Sequence, residues 1–140
     1  MSDEFLSYLI ENGITSSLIA PDTPQQNGVA ERRNRTLIDM VRSMLSYSQL
    51  PLTFWGHALQ TACYILNDVP TKAASKTPFE IWRGKKPNLS HLRIWGCPAH
   101  VLNKDAKKLE SRTEVCMFIG YPKGTKGGLF YSSKDQTIKI

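Results

Sequence analysis

Apolar residues recur with helical spacing in three stretches of the first two thirds of the chain. The first, Phe5 to Ile10, is followed by Asn12-Gly13, which predicts a short amphipathic helix closed by a glycine. The second predicts a helix from Val29 to about Ser48, because Pro51 cannot continue it. Its apolar positions share one half of the helical wheel, and its other half carries Arg32, Arg35, Asp39 and Arg42.

A third apolar stripe, from Phe54 to Leu66, predicts another helix that ends within the Asn67–Pro70 segment. A shorter helix follows at Thr77-Pro78-Phe79-Glu80, which has a capping residue, a proline at the first helical position and a glutamate at the third. This capping box predicts a helix that Gly84 ends.

The pattern changes from helical to extended after Pro87. Short β-branched and aromatic runs separated by turn residues predict strands at Ala99–Asn103, Val115–Tyr121, Leu129–Tyr131 and Thr137–Ile140. Ile14 to Ile19 is a further candidate strand, and Pro21 to Gly28 is predicted to be a loop. The chain is therefore expected to be α+β, helical first and β last, with a boundary between Pro87 and Gly96.

Composition adds a weak indication of the partner. Eighteen Lys and Arg against twelve Asp and Glu give a net charge of +6, which leans toward a polyanion without requiring one. No apolar run has the length of a membrane span. The three cysteines are an odd number without CxxC spacing, which favours an intracellular, reduced chain, and no histidine or cysteine spacing indicates a zinc site.

The segment "TPQQNGVAERRNRTL" carries the candidate chemistry. Glu31 stands among arginines on the first turn of the long predicted helix, where a carboxylate is also favoured by the helix dipole alone. The polar residues before it, which end at Gly28, would let a nucleic-acid strand approach closely. Glu31 could then hold a divalent metal against a phosphate while arginines neutralise neighbouring phosphates.

This segment resembles the part of copia-type LTR retrotransposon integrases that carries the third catalytic acid. The resemblance continues through "LPLTFWGHALQTACYILNDVP", "KTPFEIWRGKKPNLSHLRIWGCPAHV" and "RTEVCMFIGYPKGTKGGLFYSSKDQTIKI". It implies that residues 1–87 are the C-terminal portion of an RNase H-like catalytic core with connecting helices, a helical remnant of that fold. Residues 88–140 would then form a small Src-homology-3-like β-barrel, and the two parts together would be incomplete at both ends.

The resemblance also implies roles for individual residues. Glu31 would be the third catalytic acid and a ligand of Mg²⁺, and the preceding residues would form the active-site loop. DNA, as retroelement ends and target, would be the partner, together with remaining integrase segments or further copies of the chain, in the nucleus or a virus-like particle. The residues expected to contact nucleic acid are Gln25, Gln26, Asn27, Gly28, Arg32, Asn34, Arg35 and Arg42.

The family's first two catalytic aspartates have no counterpart. The second aspartate normally lies farther before the glutamate than the stretch of chain that precedes Glu31. Asp3 and Asp22 do not match its position. Because one carboxylate cannot hold two Mg²⁺ ions, the chain is expected to be inactive alone.

Two alternatives compete with an inactive integrase fragment. The first is a sequence-independent nucleic-acid-binding module, which uses the arginine face of the long helix. Basic residues of the β-rich part could assist, although lysines on turns are usually just solvated: Lys104, Lys107, Lys108, Arg112, Lys123 and Lys126. The second is an interaction protein whose helices, deprived of their sheet, dock on another subunit through exposed apolar faces.

Overall fold

The computed structural model describes residues 3–18, 20–72 and 74–140, and the side chain of residue 26 also lies outside that description. The chain divides into two compact units, Met1–Arg35 and Thr36–Ile140. The boundary predicted between residues 87 and 96 falls inside the second unit. The assignment of 1–87 and 88–140 to two domains therefore stays a prediction.

The first unit begins with helix α1, Asp3–Glu11. Gly13 follows in the left-handed conformation at φ +67°, and the Ile14 N–H donates to the Leu9 carbonyl at 2.8 Å, so the predicted glycine end is confirmed. The predicted strand is wrong over residues 14–18, which have no regular structure, and Ile19 lies outside the described residues. A strand needs a partner to pair with, and every strand of the described chain lies between residues 98 and 139.

The segment predicted to be a loop contains a 3₁₀ turn, Pro24–Asn27, and helix α2, Gly28–Ser48, starts directly after it. Pro24 favours this turn because its ring fixes φ near the helical value. Helix α2 is the predicted long helix, and its residues from Thr36 onward belong to the second unit.

The predicted helices of the second unit are confirmed. Helix α3 spans Trp55–Asp68 after a 3₁₀ turn at Leu52–Phe54, and helix α4 spans Pro78–Arg83. Both halves of the capping box form: the Glu80 N–H donates to Thr77 Oγ1 at 3.1 Å, and the Thr77 N–H donates to Glu80 Oε2 at 2.9 Å.

The four strands predicted after residue 87 are also confirmed. They are β1 Pro98–Leu102, β2 Thr113–Gly120, β3 Leu129–Ser132 and β4 Thr137–Lys139. They form one antiparallel sheet in the order β1-β2-β3-β4, with an irregularity in the β2–β3 register between Phe118 and Gly120. The fold is therefore α+β, as predicted.

The core of the second unit lies where α3 meets β2. Ala58, Trp95 and Ile119 are buried together, and the Trp95 indole N–H donates to the Ile119 carbonyl at 2.9 Å. Partly buried apolar residues from α2, from the segment between the two long helices and from the sheet pack against this cluster: Val41, Met44, Leu45, Leu50, Phe54, Leu129 and Tyr131. One face of α2 is thus partly covered within the second unit, while Ile38 and Tyr47 of the same helix are exposed.

Candidate functional site

Glu31 lies in the first turn of α2, where its side chain is exposed. The Asn27 side-chain amide donates to Glu31 Oε1 over a long hydrogen bond of 3.4 Å. Asn27 ends the 3₁₀ turn and Glu31 lies four residues later, so the helical path brings the amide and the carboxylate to the same side. The structure thus joins the predicted acid to the segment predicted to form its loop.

The remaining predicted contact residues of the first unit lie on this turn and on the start of α2. Gln25, Asn34 and Arg35 are exposed, and Arg32 is exposed while taking part in an interaction within the chain. The backbone of Gln26 is in the 3₁₀ turn, and its side chain lies outside the description. This surface presents amides and guanidinium groups to solvent around Glu31.

Gly28 was expected in the loop that precedes the long helix, but it is the first residue of α2. It has φ −58° and ψ −26°, ordinary helical values, so the left-handed freedom of glycine is not used. A Cβ atom built on Gly28 would meet no atom within 4 Å. The small residue therefore leaves open space outside the backbone, at the point where the helix begins.

Arg42 belongs to the second unit. Its Nη1 atom pairs with Asp39 Oδ1 at 3.4 Å, and both side chains are well exposed, 76% and 63%. Such a surface pair is weak, so it would compete poorly with a phosphate for the guanidinium group.

The described residues do not form a complete metal site. In the ranges 3–18, 20–72 and 74–140 no three His, Cys, Asp or Glu side chains come together as metal ligands do. Neither Asp3 nor Asp22 joins Glu31 in such a group. A pair of Mg²⁺ ions needs several oxygen ligands, so the carboxylate of Glu31 does not fit that pair by itself.

The three cysteine thiols are all unpaired, and Cys116 is buried in β2. Burial, followed by a hydrogen bond to Glu114, raises the pKa of the Cys116 thiol to about 11. This thiol is protonated at neutral pH, which makes it a poor nucleophile and a poor metal ligand.

A groove that the sequence interpretation missed lies in the second unit. It has a volume of about 740 Å³ and is walled by the end of α3, residues 88–93, the end of β2 and the loop that leads into β3. Five aromatic rings line it with Arg93 and Lys126: Tyr64, His91, Phe118, Tyr121 and Phe130. The "FIGYPKGTKGG" segment carries two of these rings and Lys126, but Tyr64 and Arg93 come from distant parts of the sequence.

Comparison with known proteins finds one matching family profile and several similar proteins. The family profile described as the retroviral polymerase SH3-like domain matches residues 97–140. The retrovirus-related Pol polyprotein from transposon TNT 1-94 of Nicotiana tabacum is 46% identical over 123 residues, which cover 86% of this chain and 9% of that polyprotein. The corresponding polyprotein from transposon RE2 of Arabidopsis thaliana is 33% identical over 117 residues, 81% of this chain and 8% of that protein.

A shorter relative is matched over most of its length. An uncharacterised mitochondrial protein of Arabidopsis thaliana is 42% identical over 82 residues, which are 58% of this chain and 68% of that protein. The chain spans less than a tenth of the two Pol polyproteins. The part of the chain that the structure describes contains no helix both long and apolar enough to cross a bilayer. The sequence matches show that the chain belongs to the copia-type retrovirus-related Pol polyproteins, of which it spans one segment.

Proposed function

We propose that this segment supplies Glu31 as the third metal-binding carboxylate of a Mg²⁺-dependent DNA strand-transfer site in an intact integrase. The observation that carries the proposal is the placement of Glu31, exposed at the start of α2 beside the Asn27 amide. An exposed carboxylate next to a polar turn is available to a metal ion and a phosphate that arrive from solvent. The remaining ligands would come from the other integrase segments.

The chain by itself is proposed to be catalytically inactive. Mg²⁺ prefers an octahedral set of oxygen ligands, and one side-chain carboxylate supplies at most two of them. Two metal ions that share one carboxylate would also repel each other without the negative charge of further acids. No catalytic step is therefore assigned to the isolated chain.

The activity proposed to survive in the isolated chain is sequence-independent binding of nucleic acid. Gln25, Asn34 and Arg35 are exposed around Glu31, and Arg42 of the second unit is a further phosphate contact in this proposal. Guanidinium and amide groups bind phosphate oxygens without reading the bases. The proposed partners are retroelement ends and target DNA, in the nucleus or a virus-like particle.

A strand-transfer assay tests the catalytic part. The chain is incubated with Mg²⁺ and a labelled duplex that ends in retroelement sequence, and products are separated on a denaturing gel. No product is expected from the starting chain. Product that persists after Glu31→Gln would show that Glu31 is not the metal-binding acid, and product that disappears would show that the chain is active alone, contrary to the proposal.

A salt titration tests the binding part. Affinity for a labelled duplex is measured between low and physiological salt, and a steep fall is expected because bound counterions are released from the phosphates. Arg35→Gln should reduce the slope of log affinity against log salt by about one. Lys134→Gln, on the β3–β4 turn, is the control that removes the same charge elsewhere. Absence of binding at low salt would refute this activity.

A further inference from the structure

The groove of the second unit combines a rigid aromatic wall with a basic rim; we call it the aromatic groove. Tyr121 lies at its centre, with ring centroids 4.6 Å from Tyr64 and 5.1 Å from Phe118. The Tyr121 hydroxyl accepts a hydrogen bond from the Arg93 backbone N–H at 3.0 Å, which fixes the tyrosine at both ends. Phe130 continues the wall, 5.8 Å from Phe118.

Gly128 keeps this wall closely packed. A Cβ atom at this position would lie 2.9 Å from Phe130 Cζ and 3.0 Å from Phe118 Cε2, so the bare backbone contacts the ring edges directly. The rings are thereby held in place before any ligand arrives. A pre-organised aromatic surface loses little entropy when it stacks on a ligand.

The charges around the groove have one sign. Arg93 and Lys126 line it, and none of its lining residues is Asp or Glu. Lys123 lies in a second depression, which shares Tyr64 and Tyr121 with the groove and is also lined without a carboxylate. Asp68 interacts with Tyr64 but lines another depression, with Trp82 and Arg83. The ligand that fits this groove is therefore aromatic or planar and negatively charged.

We propose that the aromatic groove binds single-stranded nucleic acid, with an unstacked base against Tyr121 and Phe130 and a neighbouring phosphate on Lys126. This inference deepens the proposed nucleic-acid binding and rests on it, and it adds a second site with a preference for strand type. Bases in a duplex are paired and stacked, so their faces are closed to protein rings, whereas a single strand exposes them. A groove of about 740 Å³ is large enough to take a nucleotide-sized ligand.

A proline-rich peptide is the other occupant that aromatic grooves commonly take. Arg93 and Lys126 in a lining without carboxylates, together with the net charge of +6, favour a polyanion over such a peptide. Binding of an uncharged proline-rich peptide at low salt, without binding of a single-stranded oligonucleotide, would accordingly overturn the proposal.

The test compares three labelled ligands of equal length by fluorescence anisotropy: oligothymidylate, an abasic strand with the same phosphates, and a duplex. Oligothymidylate is expected to bind about 5- to 150-fold more tightly than the abasic strand, because one stacked base contributes that much. This comparison uses the unaltered chain, so it does not depend on whether a variant folds. Equal affinity for the two strands would overturn the groove assignment.

Two charge-matched variants locate the site. Lys126→Glu is expected to weaken oligothymidylate binding clearly more than Lys134→Glu, because Lys134 is exposed on the β3–β4 turn and lines neither depression. Equal losses would overturn the assignment. If all three ligands bind equally and Arg35→Gln weakens them, the proposed function stands and the groove assignment fails. If none binds at low salt, the proposed nucleic-acid binding itself fails.

Discussion

Gly96 and Ser48 are in direct contact, so that the end of helix α2 rests on the backbone just before strand β1. A Cβ atom built on Gly96 would overlap the Cβ of Ser48, and Gly96 also has φ +79°. Its N–H donates to the Phe118 carbonyl at 2.7 Å. One residue thus joins the helical part of the second unit to its sheet, and only glycine satisfies both the close approach and the left-handed backbone.

Gly96→Ala is expected to lower the free energy of unfolding by about 2–4 kcal/mol, because steric overlap adds to the cost of a positive φ. Chemical denaturation followed by circular dichroism measures this loss. Gly124→Ala is the matched control, since Gly124 has φ +76° but open space around its Cβ. The control isolates the backbone cost, and an equal loss in the two variants would refute the contact.

The Trp95 indole is expected to stabilise the core through its hydrogen bond as well as its bulk. Trp95→Phe keeps an aromatic ring but leaves the Ile119 carbonyl without its donor in a buried position, and it leaves a small cavity. The expected loss is about 2–4 kcal/mol by urea denaturation. Trp82→Phe should change stability by less than about 0.5 kcal/mol because Trp82 is 81% exposed. If Trp95→Phe left the free energy of unfolding unchanged, the buried, hydrogen-bonded position of Trp95 would be contradicted.

Most of the secondary structure could be predicted from the sequence because its signals are local. The capping box at Thr77 and the prolines and glycines that bound the helices each act within a few residues, and all of them form as expected. The candidate strand at residues 14–18 failed because an apolar, β-branched run forms a strand only when a partner lies beside it. The 3₁₀ turn at Pro24–Asn27 was missed because polar residues with proline predict loops and short turns equally well.

The two candidate sites also differ in whether they could be predicted from local sequence. Glu31 and Asn27 are four residues apart on a helical path, so their proximity follows from the sequence. The aromatic groove instead assembles Tyr64 of α3, Arg93 of a loop and Phe130 of β3, which are far apart in the chain. Without knowledge of how α3 packs on β2, no sequence pattern brings these side chains together.

Cys116 is expected to be the slowest of the three cysteines to react with iodoacetamide at pH 8. Its thiol is buried, and burial together with the hydrogen bond to Glu114 raises its pKa to about 11, whereas Cys63 and Cys97 are only half-buried. Because the thiolate is the reacting species, few Cys116 side chains are reactive at this pH. Mass spectrometry of tryptic peptides at successive times measures the order. The denatured chain is the control, in which all three should react at similar rates, and early modification of native Cys116 would contradict the burial.

Glu114 is expected to make the free energy of unfolding of the second unit fall as the pH is lowered through the acid range. Hydrogen bonds from Lys139, Ser132 and Cys116, with the Lys139 ammonium 2.8 Å from Glu114 Oε1, lower the pKa of the Glu114 carboxyl from 4.5 to about 2. A lowered pKa in the folded state stabilises the fold fully above the unfolded value, and this contribution is lost as pH falls from about 4.5 toward 2.

Glu114→Gln should therefore lower the melting temperature at neutral pH and flatten its decline between pH 4.5 and 2. Lys139→Met removes the cation that holds the Glu114 carboxylate and should flatten the same decline, although it leaves the carboxyl in place. Asp105→Asn on an exposed turn is the control and should leave the acid part of the curve unchanged, because the hydrogen bond of Asp105 to Asn103 Oδ1 uses the backbone N–H, which asparagine keeps. Thermal melts followed by circular dichroism at half-unit pH steps measure all three variants. If the Glu114→Gln curve keeps the full acid slope of the starting chain, the linkage between Glu114 and Lys139 does not stabilise the sheet.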